Sequence, residues 1–206
     1  MYKLSKFLLD KVIATFGIVF MMPLFIAISV VIKLSSPGPI FIRQRRVGKN
    51  GKIFSYLKFR TMLDSLDPDF EQAYAEKLVS GEFGTLGEDT AGRPDIDPRI
   101  TKFGAFLRLT RIDELPAFIN LFKGDISLVG PRPSMYYELM SYDDWHSKRL
   151  EVKPGITGLW QVTKGARCFD EMVKLDLEYI EKRSFFLDIR ILLKTVILIM
   201  LKQGAY

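Results

Sequence analysis

Residues Val12–Ile32 read VIATFGIVFMMPLFIAISVVI, and their reading decides the architecture. The run carries no charge, and as a helix rising 1.5 Å per residue it is about long enough to reach across a bilayer core of ~30 Å. It is a membrane segment. A cleaved signal peptide fits less well, because the apolar run is long for such a leader and no small-x-small site closes it. Pro23 sits near the midpoint, where its missing N–H and its ring kink or break a helix. Lys3, Lys6 and Lys11 precede the run, and Lys33, Arg43, Arg45, Arg46 and Lys49 follow it. The positive-inside rule therefore draws both ends toward the cytoplasm. A re-entrant hairpin satisfies both pulls; a kinked span is the alternative.

A chain of 206 residues suits one compact domain plus an appendage. With a single cysteine, Cys168, and a single histidine, His146, it offers neither an internal disulfide nor the spacing of a zinc site. The net charge of +6 calls for an anionic partner, whether nucleic acid, a membrane surface or a phosphorylated substrate.

Beyond the apolar run, Pro37–Pro39 breaks the chain, and Asn50-Gly51 between two alternating runs signals a hairpin of strands over roughly 40–47 and 52–59. GKNGK lacks the Walker spacing and reads as that turn, not as a phosphate loop. Residues 63–99 are rich in Asp, Glu, Gly and Pro, with a helical patch near 70–78, and read as a surface excursion. The last stretch, SFFLDIRILLKTVILIMLKQGAY, is apolar on most faces, with Arg190, Lys194 and Lys202 recurring on one side. Both an interfacial helix and ordinary burial against the body account for it.

The chemistry concentrates in TRIDELPAFINLFKGDISLVGPRP, Thr110–Pro133. Leu115, Phe118, Ile119 and Phe122 follow the pattern of one buried helical face, Pro116 is tolerated in a first turn, and Gly124 suits the stop. Asp113 then falls at the helix start. Taken alone, Asp113 reads as an N-cap and Glu114 as a first-turn acid. Their neighbours argue for more: Arg108 and Arg111 precede them, and the GPRP turn holds Arg132 between two prolines. Arginine forks suit phosphate oxygens, paired carboxylates suit Mg²⁺ shared with substrate phosphates, and an aspartate can itself be a phosphoryl-accepting nucleophile. Phosphoryl chemistry at a membrane is the natural hypothesis. KPGITGLWQV, Lys153–Val162, taken alone is a turn followed by a strand.

In this order, the Pro-interrupted apolar segment, PGPIFIRQRRVGKNGKIF, KFRTM, DPRITKFGAFLR, DELP, KGDISLVGPRP and PGITGLWQV resemble the monotopic phosphoglycosyl transferases, the bacterial sugar transferase family. The resemblance covers nearly the whole chain and is closest to the minimal members. It implies an α/β (α+β) protein: a re-entrant membrane helix over 1–34, then a cytoplasmic, mostly helical catalytic domain over 35–206 with a small sheet and an interfacial amphipathic C-terminal helix. The implied reaction moves a sugar-1-phosphate from a UDP-sugar to polyprenyl (undecaprenyl) phosphate, on the cytoplasmic face of the bacterial inner membrane, and releases UMP. The resemblance makes Asp113 the nucleophile that carries a covalent phospho-sugar and Glu114 its Mg²⁺-linked companion. Arg108 and Arg132 match phosphate-site arginines and Lys58 a lysine near the dyad, with Arg60 and Arg167 as weaker substrate contacts. The membrane lipids are further partners, and a second copy of the chain is a candidate one.

The chain departs from the family pattern in three places. Met22 stands where members often carry serine before the helix-breaking proline, Ala117 stands where DELP is usually followed by glutamine, and TKGARC does not reproduce the usual Gly-Arg-Asn. Two other functions compete: a lipid phosphate or diphosphate hydrolase using the same carboxylates, and a non-catalytic membrane scaffold. A nucleic-acid binder fits worst, because the basic residues gather at the membrane-proximal ends and do not interleave with aromatics.

Overall fold

The structure, a computed structural model, describes residues 2–63, 100–163 and 168–201. The helical patch expected near 70–78 lies outside them. The chain opens with α1, Tyr2–Ser35, an uninterrupted helix with Pro23 inside it. The break expected at Pro23 is not an interruption of the helix. A proline removes one backbone bond and leaves the rest of the ladder to hold the helix.

Next comes the hairpin read from Asn50-Gly51. Strands β1, Phe41–Val47, and β2, Ile53–Phe59, pair antiparallel from Phe41↔Phe59 to Val47↔Ile53. Asn50 (φ 57°) and Gly51 (φ 76°) supply the left-handed turn that joins them. Helices α2, Lys102–Leu109, and α3, Ala117–Lys123, follow, and then β3, Ser127–Val129, and β4, Ser134–Met135. β4 joins the free edge of β1, giving the order β2-β1-β4. A short helix α4, Asp144–Ser147, leads to β5, Gly155–Thr157, which pairs in parallel with β3. Two helices close the described chain: α5, Phe169–Lys182, and α6, Phe185–Met200.

The core joins Tyr56 of β2, Ala117 and Leu121 of α3, Leu128 and Val129 of β3, Tyr179 of α5 and Ile191 of α6. α6 resolves the two readings of the C-terminal stretch into two faces. Leu187, Ile191, Leu192 and Leu198 pack on the body, while Phe186, Leu193, Val196, Ile197 and Met200 are exposed alongside Arg190 and Lys194.

Helix α1 is docked on this body at both ends. Near its start, the Lys6 ammonium lies 2.7 Å from the Asp188 carboxylate of α6, and buried Asp10 accepts the Leu128 backbone N–H of β3 at 3.0 Å. Lys11 donates to the Phe122 carbonyl of α3. Gly17 lies against the ring of Phe118, which a Cβ there would meet at 2.6 Å. Near its end, Phe25, Ile28 and Ile32 pack with Phe59 and Leu107. Buried Arg60 donates there to the Ser36 carbonyl at 2.7 Å and to the Ser36 hydroxyl at 2.9 Å. The opposite face, including Phe16, Val19, Phe20, Ile26 and Val30, is exposed hydrocarbon.

Asp10 therefore links a membrane-type helix to a strand of the body. Asp10→Ala leaves the Leu128 N–H buried without its acceptor, a loss worth about 1–3 kcal/mol. The expected result is a lower denaturation midpoint for the detergent-solubilised protein; an unchanged midpoint removes this anchor.

Candidate functional site

The carboxylate pair sits on a turn, not on the first turn of α3 as expected. Thr110 closes α2, and Arg111 then enters the left-handed region at φ 55°, ψ 16°. For a bulky side chain this conformation costs about 1–2 kcal/mol, and it reverses the chain between α2 and the acids. Ile112–Glu114 follow as a 3₁₀ turn, in which the Glu114 N–H donates to the Arg111 carbonyl and the Leu115 N–H to Ile112. The tighter pattern runs on past Pro116, with the Phe118 N–H on the Leu115 carbonyl and the Ile119 N–H on the Pro116 carbonyl, and α3 begins at Ala117. The buried face of α3 also differs from expectation. Ala117, Asn120 and Leu121 are buried, Phe118 and Ile119 are half-buried, and Phe122 is exposed beside Lys11.

Asn120 fixes the turn against the sheet. Its amide nitrogen donates to the Ser55 carbonyl at 2.7 Å, and its oxygen accepts the Leu57 N–H at 2.9 Å. The next residue of β2 is Lys58, whose ammonium lies 2.6 Å from Glu114 Oε1 and 3.8 Å from Asp113 Oδ2. Burial raises the pKa of Asp113; the Lys58 charge opposes this, the adjacent Glu114 charge adds to it, and Arg108 and Arg111 lower it further down the order. Burial also works against ionised Glu114, but there the charge and hydrogen bond of Lys58, with Arg111 and Arg46, win and hold it down at about 2. The result is one firmly ionised carboxylate beside one that takes up a proton more readily.

Tyr56 lies two residues before Lys58, with that ammonium 5.9 Å from its ring centroid and the Arg46 guanidinium 5.7 Å from it. Burial first, then the charges of Glu114 and Asp113, raise its pKa well above the usual value, against Arg46 and Arg132. All four charges thus act on one buried hydroxyl, which places Arg46 and Arg132 in the same neighbourhood as the dyad. Arg132 is partly exposed, with its Nη1 3.5 Å from Glu138 Oε1.

Of the residues expected at a site, the structure brings Asp113, Glu114 and Lys58 into contact, with the charge of Arg108 acting on Asp113 and that of Arg132 on neighbouring Tyr56. Arg60 is elsewhere: its guanidinium is buried at the end of α1 on Ser36. Arg167 lies outside the described residues. Ala117 is fully buried in the core, so the polar side chain usual there has no counterpart behind this dyad.

Sequence reasoning missed Arg46, Tyr56 and Asn120. The first two alternate on neighbouring strands of a hairpin whose charges all looked alike. Asn120 carried a signal that could have been used, being the one amide among the apolar residues of AFINLF.

Similarity to known proteins agrees with this geometry. The chain is 45% identical over 170 residues to the galactosyl transferase CpsE of Streptococcus agalactiae, an overlap of 82% of this chain and 36% of that one. It is 34% identical over 204 residues to the exopolysaccharide production protein ExoY of Sinorhizobium fredii, covering 98% of this chain and 88% of that one. With the UDP-glucose:undecaprenyl-phosphate glucose-1-phosphate transferase of Escherichia coli it shares 36% identity over 209 residues, covering 96% of this chain and 40% of the relative. The chain thus spans well under half of the larger relatives and most of ExoY. The model of the bacterial sugar transferases matches residues 1–202, and the chain belongs to that family.

Proposed function

We propose that this chain transfers a sugar-1-phosphate from a UDP-sugar to undecaprenyl phosphate, through a covalent phospho-sugar on Asp113. The observation that carries the reading is the dyad itself, a buried carboxylate that takes up a proton more readily beside one held ionised, both facing Lys58. The names of the relatives supply donor and acceptor: one is a UDP-glucose:undecaprenyl-phosphate glucose-1-phosphate transferase and another an undecaprenyl-phosphate galactose phosphotransferase.

In the first half-reaction an Asp113 oxygen attacks the phosphorus that bears the sugar. The Asp113–phosphorus bond forms as the bond from that phosphorus to the bridging oxygen of the diphosphate breaks, and UMP leaves with the electron pair. In the second, a phosphate oxygen of the lipid attacks the same phosphorus and the Asp113 carboxylate departs unchanged. Lys58 favours the ionised form of Asp113 that the attack needs, and Arg108 and Arg132 neutralise charge that builds on the diphosphate.

The carboxylates of Asp113 and Glu114 fit Mg²⁺, a cation that takes one or two carboxylates and completes its shell with substrate phosphates and water. Among the described residues no group of three or more His, Cys, Asp or Glu gathers into an all-protein cage, so such a shared site is the form on offer. Mg²⁺ bound there supplies charge neutralisation at the phosphates.

The membrane reading goes with the function. A helix of 34 residues is about 50 Å long, well beyond a bilayer core of ~30 Å. Yet Asp10 and Ser36, near its two ends, bond to one and the same body. That supports a monotopic, re-entrant arrangement in which the apolar middle enters one leaflet of the inner membrane and both ends stay with the cytoplasmic domain.

Three outcomes are expected. Asp113→Asn lowers UMP release in the presence of Mg²⁺, undecaprenyl phosphate and a panel of UDP-sugars by at least about 10³-fold, while membrane association stays as it was; substantial residual turnover removes Asp113 as nucleophile. Because Lys58 lowers the Asp113 pKa, Lys58→Met moves the acid limb of the kcat/KM profile to higher pH. A limb that stays in place means that Asp113 is not the titrating group. With Cys168 replaced by serine, Lys3→Cys and Lys49→Cys are both labelled from the cytoplasmic side alone, and labelling of the two from opposite sides establishes a span.

A further inference from the structure

The Pro131–Pro133 loop presents Arg132 to the site, but its two prolines have no N–H with which to fasten it. It is fastened through its carbonyls, and all three have a donor. The Pro131 carbonyl accepts the Gly155 N–H at 2.8 Å. The Arg132 carbonyl accepts Arg149 Nη2 at 3.2 Å, and the Pro133 carbonyl accepts Arg46 Nη1 at 2.7 Å. Two of the donors are guanidinium groups, both buried, reaching the loop from different elements.

Their surroundings differ. Arg149 is neutralised by Asp176 at 2.5 Å and also donates to the Tyr142 hydroxyl at 3.0 Å. Arg46 has no carboxylate within ion-pair distance among the described residues; its Nη2 donates to Gln44 Oε1 at 3.0 Å, and its Nε is buried without a partner. Burial lowers its pKa, the neighbouring Arg132 lowers it further, and the charges of Glu138 and Glu114 oppose this. Keeping a guanidinium buried this way is unfavourable unless its hydrogen bonds and field are put to use. Arg46 also stands at a junction. On the central strand β1 it lies opposite Phe54 of β2, the strand that carries Lys58, and opposite Met135 of β4, which leads out of the loop.

We propose that Arg46 is a positioning residue for sugar-phosphate transfer: by holding the Pro133 carbonyl it sets the loop, and with it the direction in which Arg132 meets the donor diphosphate. The proposal rests on the transferase reading above. It assigns Arg46 no contact with substrate. A planar fork that bonds Pro133 and Gln44 together cannot be reproduced by a single ammonium, so lysine keeps the charge and loses the fixed geometry.

The test is a double-mutant cycle with Arg46→Lys and Arg132→Ala, read as kcat and KM for UDP-glucose and UDP-galactose with undecaprenyl phosphate and Mg²⁺. Arg46→Lys lowers kcat by up to about 10²-fold, the scale of a misplacement near 1 Å. In the Arg132→Ala background the same substitution has no further effect, because the group it positions is gone. Losses that multiply overturn the proposal, since a general weakening of the protein would act in both backgrounds.

Hydrogen exchange of the peptide Ser127–Met135, read on the same variants beside their denaturation midpoints, separates the two readings. Faster exchange in Arg46→Lys at an unchanged midpoint is expected whatever the donor, and unchanged exchange overturns the proposal. Faster exchange in a protein whose wild type turns over neither sugar nucleotide removes UDP-glucose and UDP-galactose as donors, while the loop anchor stands.

Discussion

The attraction between one lysine and two adjacent carboxylates organises this molecule. Two neighbouring acids repel each other, and burial penalises both, so without a cation they would take up protons. Lys58 sits close to Glu114 and further from Asp113, and the unequal distances separate the roles of two similar groups. The nearer acid is pinned as an anion. The farther one takes up a proton more readily, and it is the one the proposed mechanism uses as nucleophile. Much of the fold secures that inequality: β2 places the lysine, Asn120 ties the acid-bearing segment to β2, and left-handed Arg111 aims the turn.

The same economy explains why GPRP and PGITG occur together. Alone, PGITG reads as a turn and a strand. In the fold its strand β5 pairs with β3 and brings the Gly155 N–H to the Pro131 carbonyl. The approach is so close that a Cβ on Gly155 would lie 2.2 Å from the Gly130 nitrogen. Two motifs separated by more than twenty residues are the two halves of one backbone contact.

Legibility followed the range of the interaction. The β1–β2 hairpin was plain, because Asn50-Gly51 states its turn locally, and the apolar length of α1 needs no partner to be recognised. The grouping of Asp113, Glu114 and Lys58 was legible through motif order. The start of α3 was misplaced because both a helical first turn and a 3₁₀ turn accept Asp-Glu-Leu-Pro, and the structure takes the tighter turn after left-handed Arg111. Arg60 lies apart from the dyad, on Ser36: in a sequence, an arginine that bonds a helix end looks the same as one that meets a phosphate. Only the placement of Ser36 beside it distinguishes the two.

Asn120 has a consequence beyond the site. β2 is the outer strand of its sheet, and an outer strand ordinarily presents free N–H and C=O groups to any extended segment that drifts past. By bonding Ser55 and Leu57 with one side-chain amide, α3 acts as a stopper along that border. On the membrane surface proposed for this chain, where other copies would lie close in two dimensions, a border so closed keeps the sheet from recruiting its neighbours.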